Sequence, residues 1–335
     1  MELLTFICAE SQIDNYFLGL YNEIKSECNE KGINVDTDII MNYIARNTDF
    51  KPLSISVAGK GASACVYKVN IEEKPYILAV KCSNNADLLK QEYKQIKFIS
   101  DRVDCKLPVL YHFGEYSGGA IMIMEHFDGV SADKLKSIKK AGKILPDMIA
   151  DNLLKIHSVH NDKFGPVNHA VYDTWYQYYS EFAGEIYDFV KQAYSDRKIS
   201  KKVLRAVKLS YERLDKILCG SNGEPALIHG DYWQPNFIVN PDTYELVGII
   251  DPFNIMWAEP EYELFALTVG GSKKLKLYEI YKSRIVPTEY CDLKVEMYAL
   301  YNELLWYKKL GSISKSYLRY RSGRLIKQMK RKGLL

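Results

Sequence analysis

The sequence predicts an α+β chain of two lobes: a small antiparallel-sheet lobe followed by a larger helical one. Three observations carry this. Short runs rich in β-branched and apolar residues crowd between residues 55 and 125, separated by turn residues. Beyond Gly129 the apolar spacing changes to about 3.6 residues, the mark of amphipathic helices. A single strand-rich island, residues 226–251, interrupts that helical half.

Element by element, residues 11–31 read as a helix, with Ser11 as N-cap and Gly32 just past its end, and a second short helix follows Thr37. Ile55–Ala58, Ala64–Val69 and Tyr76–Lys81 read as a three-strand meander, broken by Gly59-Lys60-Gly61 and by Glu72-Glu73-Lys74-Pro75. A helix over 85–100 and strands near 109–113 and 120–125 complete the first lobe, with the joint at 125–129. Helical periodicity covers 147–158, 173–194 and 200–218, then resumes from Tyr262 to the end. The island supplies strands at 226–229, 237–240 and 246–251, with a turn at Asn240-Pro241-Asp242. The lobes are therefore drawn as 1–125, with its N-terminal helices in 1–50, and 126–335.

Composition bounds the classes open to the chain. Its 335 residues are 47% hydrophobic and 26% charged, the mix of a soluble globular protein. The opening residues carry no basic run ahead of an apolar one, and no apolar stretch approaches the ~20 residues of a membrane span. Seven scattered cysteines without a C-x-x-C pair read as reduced thiols, so a cytoplasmic location is expected. Charge is uneven. Residues 304–335 hold ten Lys and Arg and no Asp or Glu, leaving 35 basic and 42 acidic side chains, a net of −7, in 1–303. An acidic body suits a cationic substrate; the basic tail reads as a solvated amphipathic helix ahead of an anion-, nucleic-acid- or membrane-binding surface.

Chemistry concentrates in His229-Gly230-Asp231-Tyr232-Trp233-Gln234-Pro235-Asn236, followed by Gly248-Ile249-Ile250-Asp251. An acid ends one strand, an Asn follows five residues later, and a second acid ends the next hairpin. Phosphoryl transfer needs a carboxylate to orient the attacking hydroxyl, and carboxylate and amide oxygens for a Mg²⁺ that bridges phosphates. Either acid could instead shape a turn, but the whole set with His229 and Gly230 points to a site.

This set resembles the His-Gly-Asp-x4-Asn and Ile-Asp signature of the aminoglycoside phosphotransferase and fructosamine kinase superfamily, over roughly residues 55–265. Asp-Tyr-Trp-Gln-Pro-Asn and Pro252 look most like its fructosamine kinase branch. The resemblance implies a bilobal protein-kinase-like fold and an ATP-dependent small-molecule kinase (GTP possible) that uses Mg²⁺. It makes Asp231 the catalytic carboxylate, Asn236 and Asp251 metal ligands, and His229 a brace for the loop. Position 230 is Gly where protein kinases usually carry Arg, which implies activity without activation-loop phosphorylation.

The nucleotide side has its own signals. Gly59 and Gly61 lie in a loop between two strands, so a dinucleotide-binding reading, which needs a helix next, fails. The loop is either a phosphate cover or an ordinary hairpin. Lys81 continues the face of Ile77 and Ala79, while Glu92 shares a helix stripe with Leu89, Ile96 and Ile99. A buried lysine and a buried glutamate supply one another with a partner, as in the phosphate-holding pair of kinase-like folds. Glu125 and Phe127 fall where such folds bind adenine through backbone. His157 reads as a packed core histidine, and the row Trp175, Tyr178, Tyr179, Phe182, Ile186 and Phe189 as core ahead of pocket wall. Two departures stand out: Ala258-Glu259-Pro260-Glu261-Tyr262-Glu263-Leu264-Phe265-Ala266 stands where the superfamily has a Gly-Asp-Pro then Asp-Leu-Ala pattern, with Glu in place of each Asp, and the terminus is basic where aminoglycoside enzymes gather acids.

The acceptor expected is a neutral or cationic hydroxyl-bearing molecule such as an aminoglycoside, aminosugar or fructosamine, with no nucleic acid and no membrane as partner. A kinase acting on a protein or spore-coat component, and a non-catalytic module on the same fold, are the alternatives.

Overall fold

The computed structural model describes residues 35–335 except 62–63, 117, 136, 143, 222 and 312. The helix expected over 11–31 lies outside the described residues. The chain forms two compact units. The first takes the described residues up to Asn152 together with Gln234–Phe253; the second takes Leu153–Trp233 and Asn254–Leu335.

In the first unit, β1 (Pro52–Lys60), β2 (Cys65–Ile71), β3 (Ile77–Ser83), β4 (Leu110–Tyr116) and β5 (Gly119–Glu125) form an antiparallel sheet of order β1-β2-β3-β5-β4. β3 is central, and Lys81 pairs with Val66 on one side and Met122 on the other. Alternation along β3 sends side chains to two apolar layers. Leu78, Val80 and Cys82 pack with Ile40 and Ile44 of helix α1 (Thr37–Asn47). Ala79 faces Leu89 and Ile96 of helix α2 (Ala86–Ser100), which starts at the Asn85 cap, where Oδ1 accepts the Leu88 N–H.

The same unit holds a three-stranded sheet of β6 (Val130–Ser131), β9 (Phe237–Val239) and β10 (Leu246–Ile249), order β10-β9-β6. The turn between β9 and β10 is fixed by Asn240, whose Oδ1 accepts the N–H groups of Asp242 and Thr243. Helix α3 (Ile144–His157) carries the chain onward into the second unit.

That unit is helical apart from a small sheet of β7 (Gly165–Pro166), β8 (Ala226–Leu227) and β11 (Met256–Ala258). Its core joins α4 (Trp175–Ser195), α5 (Lys201–Tyr211), α6 (Cys291–Leu310) and α7 (Lys315–Arg331). Thr174 opens α4 with a reciprocal capping box to Gln177. Of the predicted aromatic row, Trp175, Tyr179 and Ile186 are buried in this core, and Tyr178, Phe182 and Phe189 pack against it. The helix expected over 200–218 is two pieces, α5 and a short turn at Leu214–Ile217, because Arg213 leaves the helical region with φ −127°. Residues Pro260–Thr268, expected to begin a helix at Tyr262, form tight 3₁₀ turns.

Candidate active site

In the first unit the central strand delivers a lysine to two carboxylates. Lys81 Nζ donates to Glu92 Oε1 at 2.8 Å and to Asp251 Oδ1 at 2.7 Å. The Lys81 and Glu92 side chains are 11% and 15% exposed, and Asp251 is 44% exposed. Burial works against the lysine's charge, yet Asp251 and Glu92 outweigh it and hold its pKa above the ordinary range. Burial pushes Glu92 up to about 7, with Lys81 opposing and Asp251 adding to the rise. The pair sits on the α2-facing side of the sheet because β3 alternation and the α2 stripe put both groups there.

Asn236 and Asp251 lie at one end of the β9–β10 hairpin. The register pairs Phe237 with Ile249, and the Ile250 N–H donates to the Asn236 carbonyl at 3.0 Å. Asp251 follows in a left-handed conformation, φ +57°, which turns the chain at the strand's end. Asn236 is itself buried in a 3₁₀ turn of residues Gln234–Asn236. That turn is tied down by Gln234 Nε2 donating to the Ala132 carbonyl at 2.8 Å. The carboxylate of Asp251 and the amide of Asn236 are hard oxygen donors, and they fit a Mg²⁺ ion that takes its remaining ligands from phosphates and water. Among the described residues, no group of three or more His, Cys, Asp or Glu gathers as a metal cage.

The other predicted nucleotide residues belong to this unit as well. Gly59 is the penultimate residue of β1, beside the turn in which the Gly61 N–H donates to the Ala64 carbonyl at 2.8 Å; residues 62–63 lie outside the described residues. Glu125 closes β5, where its N–H donates to the Val109 carbonyl and its Oε2 accepts the Val109 N–H. Phe127 lays its ring against the backbone of Gly248, where a Cβ would fall 2.0 Å from the ring's Cε2. Only glycine fits there.

The second unit holds the loop that follows β8. Leu227 and Ile228 donate to the carbonyls of Val159 and Met256, and His229 follows fully buried. Gly230 has φ +82°, a conformation glycine adopts without strain. The Asp231 N–H donates to His229 Nδ1 at 3.4 Å.

Sequence reasoning gave Glu263 no role, yet it organises this loop. Its carboxylate accepts the N–H of His229 at 3.1 Å and the N–H of Gly230 at 2.6 Å. His157 bridges Glu263 Oε2 and the Tyr281 hydroxyl, at 3.0 and 2.5 Å. A second buried set lies beside it. Lys294, fully buried, contacts Ser221 Oγ, Glu259 Oε2 and Glu261 Oε2 at 2.8, 2.7 and 2.6 Å. Tyr298 donates to the other oxygen of Glu259. Burial raises the pKa of Glu259 even against Lys294, whereas Lys294 overcomes burial at Glu261 and lowers it. The signal in sequence was the departure itself: three Glu in five residues, all buried, each with a partner.

Comparison with known proteins places the chain by family and fold. The sequence profile of the fructosamine kinase family matches residues 40–330. A candidate fructosamine-3-kinase from Thermobifida fusca has a similar structure: TM-score 0.66, 16% identity, 86% of this chain and 98% of that one covered. Aminoglycoside 2′-phosphotransferase-IIIa, solved with GDP, gives TM-score 0.63 at 16% identity, covering 88% and 98%. A thermostable mutant of aminoglycoside phosphotransferase APH(4)-Ia, solved with AMP-PNP and hygromycin B, gives 0.61 at 14%, covering 86% and 98%. By sequence, the uncharacterised Escherichia coli K12 protein YcbJ is 22% identical over 214 residues, 63% of this chain and 71% of its own length. The chain belongs to the fructosamine kinase family, on the protein-kinase-like fold it shares with the aminoglycoside phosphotransferases.

Proposed function

We propose that this kinase moves the γ-phosphoryl group of ATP to a hydroxyl of a neutral or cationic small molecule. The observation that carries the reading is Lys81 held between Glu92 and Asp251, with Asn236 fixed to the same hairpin end. That is the equipment for holding phosphates and their ion. In this reading Lys81 binds phosphate oxygens, Glu92 keeps the ammonium in place, and Gly59 and Gly61 lie over the phosphates. Backbone at Glu125 and Phe127 receives the adenine. Asn236 and Asp251 would hold Mg²⁺, which when bound neutralises charge building on the phosphates. Asp231, on the loop that His229 and Glu263 brace, orients the acceptor hydroxyl. The hydroxyl oxygen bonds to the γ-phosphorus, the bond to the β,γ-bridging oxygen breaks, ADP leaves, and the hydroxyl proton passes to the Asp231 carboxylate.

The family and the nucleotide complexes of the solved relatives support nucleotide use. The net charge of −7 in residues 1–303 favours an amine-bearing acceptor by long-range attraction. Glycated amines, aminosugars and aminoglycosides fit that description. The presence of Lys81, Glu92, Asp231, Asn236 and Asp251 together argues against a non-catalytic module. The test is a nucleotide-consumption screen over glycated amines, aminoglycosides, amino alcohols, neutral sugars and acidic peptides. Turnover with an amine-bearing polyol is expected. Turnover confined to acidic peptides would overturn the small-molecule assignment.

A further inference from the structure

The kinase motifs say nothing of the surface made by α5 and α7, two packed helices of the second unit. These helices contain eleven Lys and Arg and no Asp or Glu. Arg321 and Arg324 turn to Glu296, and Lys208 to Glu212. The other eight are exposed and form no ion pair among the described residues. A solvated helix ordinarily intersperses acids, since like charges at i,i+4 repel by roughly 0.2–0.5 kcal/mol per pair.

The arrangement is a row. Lys315, Arg319, Gly323, Lys327 and Arg331 recur every four residues along α7, so successive positions are about 6 Å apart along the axis. The one member without a charge is Gly323, and α5 fills that gap. Lys202 Nζ reaches over the glycine, 2.8 Å from where a Cβ would stand. Each step also turns about 40° around the axis, so the row winds about 160° from Lys315 to Arg331; its middle three cations, Arg319, Lys202 and Lys327, share one face at a spacing close to that of successive phosphates on a nucleic-acid strand. A membrane-surface helix would add large apolar side chains to such a face. Neither helix exposes one: the exposed large hydrophobics all lie outside 201–211 and 315–331.

We infer that the α5–α7 face binds the sugar–phosphate backbone of nucleic acid, without reading sequence. This goes beyond the proposed phosphotransfer and does not depend on it. Binding would be electrostatic, each contact releasing a counterion from the polyanion.

The experiment is fluorescence anisotropy of the full chain with a labelled DNA duplex of about 20 base pairs, between about 50 and 200 mM salt. For three phosphate contacts the log–log slope should be roughly −2.7, about a 40-fold loss over that fourfold rise. Lys202→Glu, Arg319→Glu and Lys327→Glu together should weaken binding at least about 10-fold and flatten the slope by nearly 3. If that variant melts early, the three Gln replacements should reproduce the flattening with the fold retained. Absence of duplex binding at the lowest salt, or an affinity unchanged in both variants, would overturn the inference. So would capture by anionic phospholipid vesicles without capture by the duplex, which would mark a membrane surface.

Discussion

Lys81 is the residue at which position in the fold and chemistry meet. A lysine this deep in a sheet is tolerated because two carboxylates face it at hydrogen-bond distance. Removing it leaves Glu92 and Asp251 to repel one another in a poorly solvated setting. Lys81→Ala should therefore lower stability by about 2–4 kcal/mol as well as abolish productive phosphate binding. Glu92→Gln alone should leave a half-satisfied ammonium. The double variant should lose less than the sum of the two singles by at least about 1 kcal/mol in chemical denaturation. Additive losses would mean that the two groups do not depend on one another. The lysine and its glutamate were legible in sequence because each lay on a computable apolar face. The third partner, Asp251, was not, because no periodicity reports a contact across 170 residues. Glu263 was missed for a related reason: its partners are backbone N–H groups of a distant loop, which leave no side-chain pattern to read.

At the scale of elements, strands and helices followed the apolar periods closely where one face was buried. The five-stranded sheet, α2 and α4 fall near their predicted bounds. Reading failed where local bonding overrode periodicity, as in the tight turns of Pro260–Thr268, where buried Glu261 and Glu263, with Glu259 just before them, bond neighbouring elements. The basic tail became α7, anchored by Tyr317, Leu318, Leu325 and Met329, so its amphipathic reading was sound. Its packing on α6 has an electrostatic consequence. Glu303 of α6 is buried, and burial pushes its carboxyl up to about 8 although Arg321 draws it down. The folded state thus holds this proton more tightly than the unfolded chain, whose Glu titrates near 4.5. The stability it contributes is complete below that value and is lost as pH rises through about 8. Stability should therefore fall by roughly 4 kcal/mol between about pH 5 and 8.5, and Glu303→Gln should remove most of that slope. A variant with the same pH profile as the parent would assign the slope elsewhere.

For the whole molecule, the two units divide the chemistry in a way the sequence only outlined. Lys81, both candidate metal ligands and the glycine loop belong to one unit. The loop carrying Asp231, with its Glu263 and His157 supports, belongs to the other. The chain joins these sets through the four residues between Asp231 and Asn236, and that spacing is what made the motif readable. The acceptor was not readable, since it depends on side-chain shape and not on motif. Among the described residues no helix is long and apolar enough to cross a membrane. The most direct test follows phosphorus from nucleotide to acceptor. ATP labelled at its γ-phosphorus is incubated with Mg²⁺, the best acceptor from the screen, and either the parent enzyme or Asp231→Asn. The label should appear on an acceptor hydroxyl, in a yield equal to the ADP formed, and the rate should fall at least ~10²-fold in Asp231→Asn with nucleotide affinity nearly unchanged. Label released as free phosphate with the acceptor unmodified, or transfer by Asp231→Asn at the parent rate, would contradict phosphoryl transfer through this loop.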